Sequence, residues 1–317
     1  MLKQDLLDCQ ARIVPYIHRT PVLSSQLLND LAGASLYFKC ENFQRMGAFK
    51  FRGATNAILQ LTAQQRARGV VTHSSGNFAQ ALALAAREVG TIAYIVMPRT
   101  APQVKKDAVS GYGGHIIECE PTLAAREKTA SDLVQKYGAT FIHPSNQDEV
   151  ILGQGTAALE LLEDHPNLNA IFSPVGGGGL IAGTALAAHY FGNNCDVIGG
   201  EPEAADDAYR SLIAGRIETN TATNTIADGL RTELGDRNFP IIQQHVQEII
   251  RVSEAAIIAA MRLIWERMKI IVEASSAVAL AALLIEKGRF EGQKVGILLS
   301  GGNVDLLDLP FGQTKAG

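Results

Sequence analysis

Apolar, β-rich stretches alternate along the chain with Ala- and Leu-rich stretches of helical length. Strands are predicted at 36–40, 70–73, 92–97, 115–118, 170–173, 196–199, 248–252 and 294–299. Between them, the spacing of apolar positions predicts helices at 50–61, 77–88, 101–111, 123–137, 154–163, 180–190, 253–269 and 275–286. This alternation points to an α/β fold with parallel sheets and helices on both faces. Continuous apolar strands such as Val295-Gly296-Ile297-Leu298-Leu299 fit sheets covered on both sides. One strand–helix run occupies 69–146 and the flanks supply another. The predicted organisation is therefore a large domain, 1–68 and 147–317, with a small domain, 69–146, inserted into it. Residues 313–317 read as a frayed tail.

Composition narrows the function classes. With 317 residues, 47% hydrophobic and 19% charged, the chain can bury a sizeable core and is not disordered as a whole. Its net charge of −4 gives no general attraction to nucleic acid or anionic membranes. Cys9, Cys40, Cys119 and Cys195 are far apart, which suggests neither a zinc site nor a disulfide framework. Asp5 and Asp8 stand where a signal peptide would need an apolar stretch, and no apolar run approaches a membrane span. A cytoplasmic location is the expectation. The thirty glycines are an excess, and their placement carries most of the chemistry.

Gly176, Gly177, Gly178 and Gly179 follow an apolar strand and open a helix. Exposed backbone N–H groups at a helix N-terminus favour an anion, so a phosphate cradle is one reading and a tight turn the other. The segment Gly177-Gly178-Gly179-Leu180-Ile181-Ala182 also satisfies a loose dinucleotide fingerprint, with Glu201 near the place of a ribose-binding acid. No Walker lysine follows, which excludes an ATPase loop. Lys50 lies between Phe49 and Phe51 near a predicted helix start. Desolvation and helix-terminal potential disfavour its ammonium form, and a neutral amine can form a Schiff base. The bland alternative is a surface lysine. Ser74-Ser75-Gly76-Asn77 also follows a strand and opens a helix, which suits either a carboxylate or an ordinary cap. Ser300-Gly301-Gly302-Asn303 follows the last strand and could be no more than a turn.

Taken together, these segments are specific. Gly47-Ala48-Phe49-Lys50-Phe51-Arg52-Gly53, the Ser74 loop, the four glycines and the Ser300 loop occur in an order and spacing that resemble fold-type II pyridoxal-phosphate enzymes. Within that class the chain is most similar to the serine racemase and threonine/serine dehydratase family, over about 20–309. The resemblance implies a two-domain fold like the tryptophan synthase β chain. It implies that Lys50 holds the cofactor and removes the α-proton. Gly176, Gly177, Gly178 and Gly179 would bind its phosphate, Asn77 its ring oxygen, and Ser300 would face the ring nitrogen. Ser74, Ser75 and Asn77 would take the substrate carboxylate. Ser75 also matches a position that is serine in serine racemases, where it would be the second acid/base. Arg126 matches a gating arginine and could read a side-chain carboxylate.

The same resemblance suggests magnesium or calcium held by Glu201, Asp207 and the backbone oxygen of Ala205. Gln80, Tyr112 and Lys269 match an ATP-effector site, and a homodimer is implied. Phe78 stands where the family usually has His, Ala48 where it has Ser, and Thr232 where the animal racemase has Ser. Residues 274–276 replace a segment that contains Pro. The implied reaction is deamination of serine or threonine to a 2-oxo acid and ammonia, with serine racemisation beside it. The same-fold alternative is 3-hydroxyaspartate dehydration. A cysteine-synthase-like replacement fits less well. A nicotinamide-dependent oxidoreductase and a silent amino-acid-binding protein are the different-class rivals.

Overall fold

Ten strands form in chain order: β1 (Val22–Leu23), β2 (Ser35–Cys40), β3 (Val70–His73), β4 (Ala93–Pro98), β5 (His115–Cys119), β6 (Thr140–Phe141), β7 (Ala170–Pro174), β8 (Asp196–Pro202), β9 (Glu248–Val252) and β10 (Lys294–Leu299). They belong to a computed structural model that describes residues 1–313, so residues 314–317 of the predicted tail lie outside it. One sheet has six strands in the order β1-β2-β10-β7-β8-β9, and the other has four in the order β5-β4-β3-β6. All neighbours are parallel except β1, which runs antiparallel to β2. The four-stranded sheet lies wholly within 70–141, and the flanks build the other. β7 and β10 lie inside their sheet and are buried along nearly all their length, as their apolar runs require.

Most helices match their predicted positions, and the departures have local causes. The predicted 154–163 helix lies within a longer one, Asp148–Asp164. Gly153 and Gly155 lie inside it and allow helices to touch. A Cβ on Gly153 would lie 2.5 Å from the Gly53 Cα, and one on Gly183 would lie 2.5 Å from the Gly155 nitrogen. The helices Lys50–Leu59, Asp148–Asp164 and Gly179–Phe191 therefore pack backbone against backbone. The predicted 253–269 helix is an α-helix over Glu254–Leu263, then a π-turn over Ile264–Met268. Lys269, at φ 60°, ends it. The apolar run 277–285 lies in the helix Ala274–Ile285, which is almost entirely buried. No helix among the described residues is long and apolar enough to cross a membrane.

A buried polar network ties the Lys50–Leu59 helix to its surroundings. The Arg52 guanidinium donates to Glu41 through Nε at 2.7 Å and to Glu160 through Nη1 at 2.8 Å. Its Nη2 donates to both carboxylates at 2.8 Å. Lys39 on β2 donates to Glu160 at 2.6 Å and to the Thr20 carbonyl at 2.7 Å. The Thr20 hydroxyl donates to Glu41. All four charged side chains are at most 2% exposed. Two cations face two anions, with bidentate geometry and further hydrogen bonds, which is what offsets the cost of desolvating ions. Arg52→Met would leave Glu160 facing only Lys39 and Glu41 only the Thr20 hydroxyl. Chemical denaturation is expected to show a loss of about 3–5 kcal/mol. A loss below ~1 kcal/mol, the range of exposed pairs, would refute this account of the network.

Candidate active site

The loops singled out from sequence all leave the carboxyl ends of strands, where parallel α/β sheets bind ligands. The segment that bears Lys50 comes after β2, the Ser74 loop after β3, the glycines after β7 and the Ser300 loop after β10. Backbone pairing joins two of them: the Phe49 N–H donates to the Ser300 carbonyl at 3.0 Å, and Ala48 bridges to Gly301. Just upstream, Met46 is held at φ 57°. Such a left-handed, non-glycine residue is backbone strain of the kind found beside functional sites.

Lys50 is the first residue of its helix, so its ammonium faces the positive end of the helix dipole. Its Nζ donates to the Pro144 carbonyl at 2.9 Å and lies 4.9 Å and 5.9 Å from the ring centres of Phe49 and Phe78. Burial pushes the amine down to about 8, while the charge of Glu273 pulls it the other way. The loop that carries Pro144 is organised by His143, whose Nδ1 accepts from the Ser145 and Asn146 N–H groups at 3.2 Å and 2.8 Å. Burial, then His73 and Lys50, push the His143 imidazole down to about 4, which keeps it neutral and able to accept.

Gly176, Gly177, Gly178 and Gly179 form a buried turn into the helix Gly179–Phe191. Gly178 sits at φ 77°, where an L side chain is strained. A Cβ on Gly177 would lie 2.5 Å from Ser145 Oγ and 3.1 Å from Thr232 Oγ1, so hydroxyls surround the turn. Asn238 anchors it by donating to the Gly177 carbonyl at 2.8 Å. Among the described residues, the N–H groups of Gly177 and Gly178 have no protein acceptor. Unpaired N–H groups at a helix start, with the helix dipole behind them, suit an anion.

Asn77 opens the helix Asn77–Val89, and no side chain caps that end. Ser74 and Ser75, beside it, are half-buried, and the Ser74 hydroxyl accepts from the Gly76 N–H at 3.3 Å. The Asn77 Nδ2 donates to both oxygens of Glu273, at 2.9 Å and 3.0 Å, and its Oδ1 accepts from Asn303. The Ser300 side chain is 3% exposed at the end of β10. Arg126 is half-buried on the helix Leu123–Tyr137, and its Nε is buried with no partner among the described residues.

Glu201 and Asp207 stand apart from this cluster, at the end of β8 and the start of the helix Asp207–Ala214. Glu201 accepts from the Ala208 and Tyr209 N–H groups, and Asp207 accepts from Asn220 and the Leu234 N–H. Burial, then the neighbouring Asp207, hold Glu201 well above the usual carboxylate range. Burial pushes Asp207 up to about 6. Ala205 is fully buried between them in sequence. No group of three His, Cys, Asp or Glu side chains gathers as a metal cluster among the described residues. Gln80 is 7% exposed, Tyr112 is half-buried, and Lys269 is exposed with its Nζ on the Glu266 carbonyl.

Sequence reasoning assigns no role to Glu273, Asn303, His143, Ser145 or Asn238. Each is a common residue type in an ordinary local context, and only the meeting of distant segments brings it to the site. The one available signal is for Asn303, which ends the Ser300-Gly301-Gly302-Asn303 motif.

Comparison with known proteins agrees with this geometry. The family model "Pyridoxal-phosphate dependent enzyme" matches residues 13–301. The beta-hydroxyaspartate dehydratase of Paracoccus denitrificans is 50% identical, over 97% of this chain and 98% of its own. The serine racemase structure from Dictyostelium discoideum superposes with a TM-score of 0.92 at 50% identity, covering 96% of this chain and 98% of that one. A threonine deaminase structure from T.th. does so at 0.91 and 44% identity, covering 96% and 99%. The chain belongs to the pyridoxal-phosphate dependent enzyme family.

The environment of Lys50 has a measurable consequence in the cofactor-free chain. Its folded-state value, about 8, lies below the ordinary 10.5. Between these values the unfolded chain binds more protons, so this group's contribution to stability rises with pH across that window. The melting-temperature advantage of Lys50→Met over wild type is therefore expected to be greatest near pH 7 and to shrink through the window. An advantage that does not change with pH would contradict the desolvated lysine.

Proposed function

We propose that this member of the pyridoxal-phosphate dependent enzyme family deaminates β-hydroxy amino acids, serine and threonine first, and racemises serine. The residues present fit the cofactor. The desolvated Lys50 amine lies on the Pro144 carbonyl, the next residue, Ser145, borders the glycine turn, and the Phe49 N–H donates to the carbonyl of Ser300, whose hydroxyl is buried. The convergence of Lys50 with the four glycines carries the reading. It favours this chemistry over a nicotinamide site, which has no use for a desolvated lysine.

Lys50 would hold the cofactor, and the N–H groups of Gly176, Gly177, Gly178 and Gly179 would take its phosphate. Asn77 would donate to the ring oxygen, and Ser300 would face the ring nitrogen. Bound there, the cofactor supplies an electron sink for charge developing at the substrate α-carbon. Ser74, Ser75 and Asn77 would bind and orient the substrate carboxylate through hydroxyls and helix N–H groups. The Lys50 amine, held near neutrality by desolvation, would take the α-proton at Nζ. The Ser75 hydroxyl would hold the proton exchanged during racemisation. Loss of the β-hydroxyl as water, followed by hydrolysis, gives a 2-oxo acid and ammonia.

Arg126 favours a second reading, 3-hydroxyaspartate dehydration. Its half-buried guanidinium lacks a partner at Nε, which suits a substrate's second carboxylate. The P. denitrificans relative, named for that substrate class, adds support.

Several finer points belong to the same reading. Residues 69–146 would form a small domain that closes on the larger one, 1–68 and 147–317, to exclude water. Glu201, Asp207 and the Ala205 carbonyl would hold magnesium or calcium, whose charge would relieve two buried carboxylates of their repulsion. A homodimer and an ATP effector near Gln80, Tyr112 and Lys269 rest on the resemblance alone, and a cytoplasmic location on composition.

A panel of L-Ser, D-Ser, L-Thr and threo- and erythro-3-hydroxyaspartate, read for 2-oxo acid and chirality, tests the reaction. Wild type should release 2-oxo acid, and Ser75→Ala should lose D-serine formation. Arg126→Ala should lose turnover of 3-hydroxyaspartate far more than turnover of serine; equal losses would remove Arg126 as a substrate reader. Lys50→Ala should lose both the visible absorbance band and turnover, and a wild type without a borohydride-sensitive band would sink the cofactor assignment. For the cation, magnesium or calcium added after chelation should raise the melting temperature of wild type but not of Asp207→Asn. An unchanged wild-type melt would refute that site.

A further inference from the structure

Glu273 is a buried carboxylate that the proposed reaction leaves without a task. It is 6% exposed and sits at the start of the helix Ala274–Ile285. Besides the Asn77 amide, it accepts from the Asn303 N–H at 3.2 Å. Gly301 makes room for it: a Cβ there would lie 3.1 Å from the carboxylate carbon. Burial pushes its acid up to about 7, and Asp228 adds to that shift. Asn77, Asn303 and Lys105 oppose it. Lys105 and Asp228 pair with each other at 2.5 Å, beside it.

An asparagine amide has two donors at one end and an acceptor at the other. Here both ends are committed. The oxygen end accepts from Asn303 Nδ2 at 2.9 Å, and the same Nδ2 is held on the Met46 carbonyl at 2.9 Å. The nitrogen end faces two Glu273 oxygens at nearly equal distances. One N–H shared between those oxygens accounts for both contacts, which leaves the other N–H free. A flipped amide would place its oxygen against a carboxylate and its N–H groups against another amide nitrogen.

We propose that Glu273 is a positioning residue, which locks the Asn77 amide so that its second N–H is presented to the ring oxygen of pyridoxal phosphate. The inference rests on the cofactor seat proposed above for Asn77. Glu273 itself touches neither substrate nor reacting atoms; it acts through the orientation of Asn77.

A double-mutant cycle on the reconstituted enzyme tests this, with pyridoxal phosphate as the titrant. Glu273→Gln, Asn77→Ala and the double variant are compared for cofactor affinity and for the position of the visible absorbance band. Glu273→Gln is expected to weaken cofactor affinity by about tenfold or more, the scale of a lost charge-assisted hydrogen bond, and to move the band. The double variant should be no weaker than Asn77→Ala if Glu273 acts through the amide, whereas a loss carried by its charge on Lys50 would persist without the amide and add. Additive losses, or a Glu273→Gln enzyme with wild-type affinity and spectrum, would overturn the assignment. Should Glu273→Gln fail to fold, Glu273→Asp enters the same cycle under the same criteria. A wild-type chain that binds no cofactor would instead overturn the seat on which the inference rests.

Discussion

The site depends on one buried electrostatic arrangement, the Arg52 guanidinium held between Glu41 and Glu160. Arg52 is two residues from Lys50 on the same helix. Glu41 follows β2, and Glu160 lies on the helix Asp148–Asp164. Ions so thoroughly desolvated tolerate little displacement, because each lost hydrogen bond leaves charge uncompensated in a medium of low dielectric. The network therefore orients the helix start that presents Lys50. Its position, two residues along, keeps those charges out of the cleft.

A second constraint is that burial acts in opposite directions on a base and an acid. Desolvation lowers Lys50 to about 8 and raises Glu273 to about 7. Two groups that would be fully charged in water are thereby brought near the pH at which proton transfer costs least. The charge of Glu273 also favours the charged form of Lys50, so a change at Glu273 is felt at Lys50. The rings of Phe49 and Phe78 lie over the amine, 4.9 Å and 5.9 Å from it, and help to bury it.

How much of this is legible in sequence depends on the range of the signal. The strand ends and the Gly-, Ser- and Asn-rich turns after them are local chemistry, and those loops are visible without any fold. Lys50 alone reads as readily as a surface lysine, and only the motif set around it singles it out. Arg52 does not stand out, since an arginine between Phe51 and Gly53 looks like a surface residue until Glu41 and Glu160 are folded around it. Glu273 is invisible for the same reason, as its partners lie 196 and 30 residues away. In sequence the helix beginning at Asp148 reads as starting only at Gln154, just after Gly153, whose helix penalty is overridden by tertiary contact.

Those two glycines, with Gly53 and Gly183, act at a distance. They let the lysine-bearing helix, the Asp148–Asp164 helix and the helix Gly179–Phe191 approach backbone to backbone at these points. The spacing of the three helices there is set by backbone thickness, as in a gauge built from bare plates. Inserting a single methyl group at Gly183 acts as a shim. It would move the two ends of the cofactor's seat relative to each other while leaving every residue that lines it unchanged. Deleterious substitutions in this fold are thus expected well outside any list of contact residues, along a seam of helix interiors whose only function is to be thin.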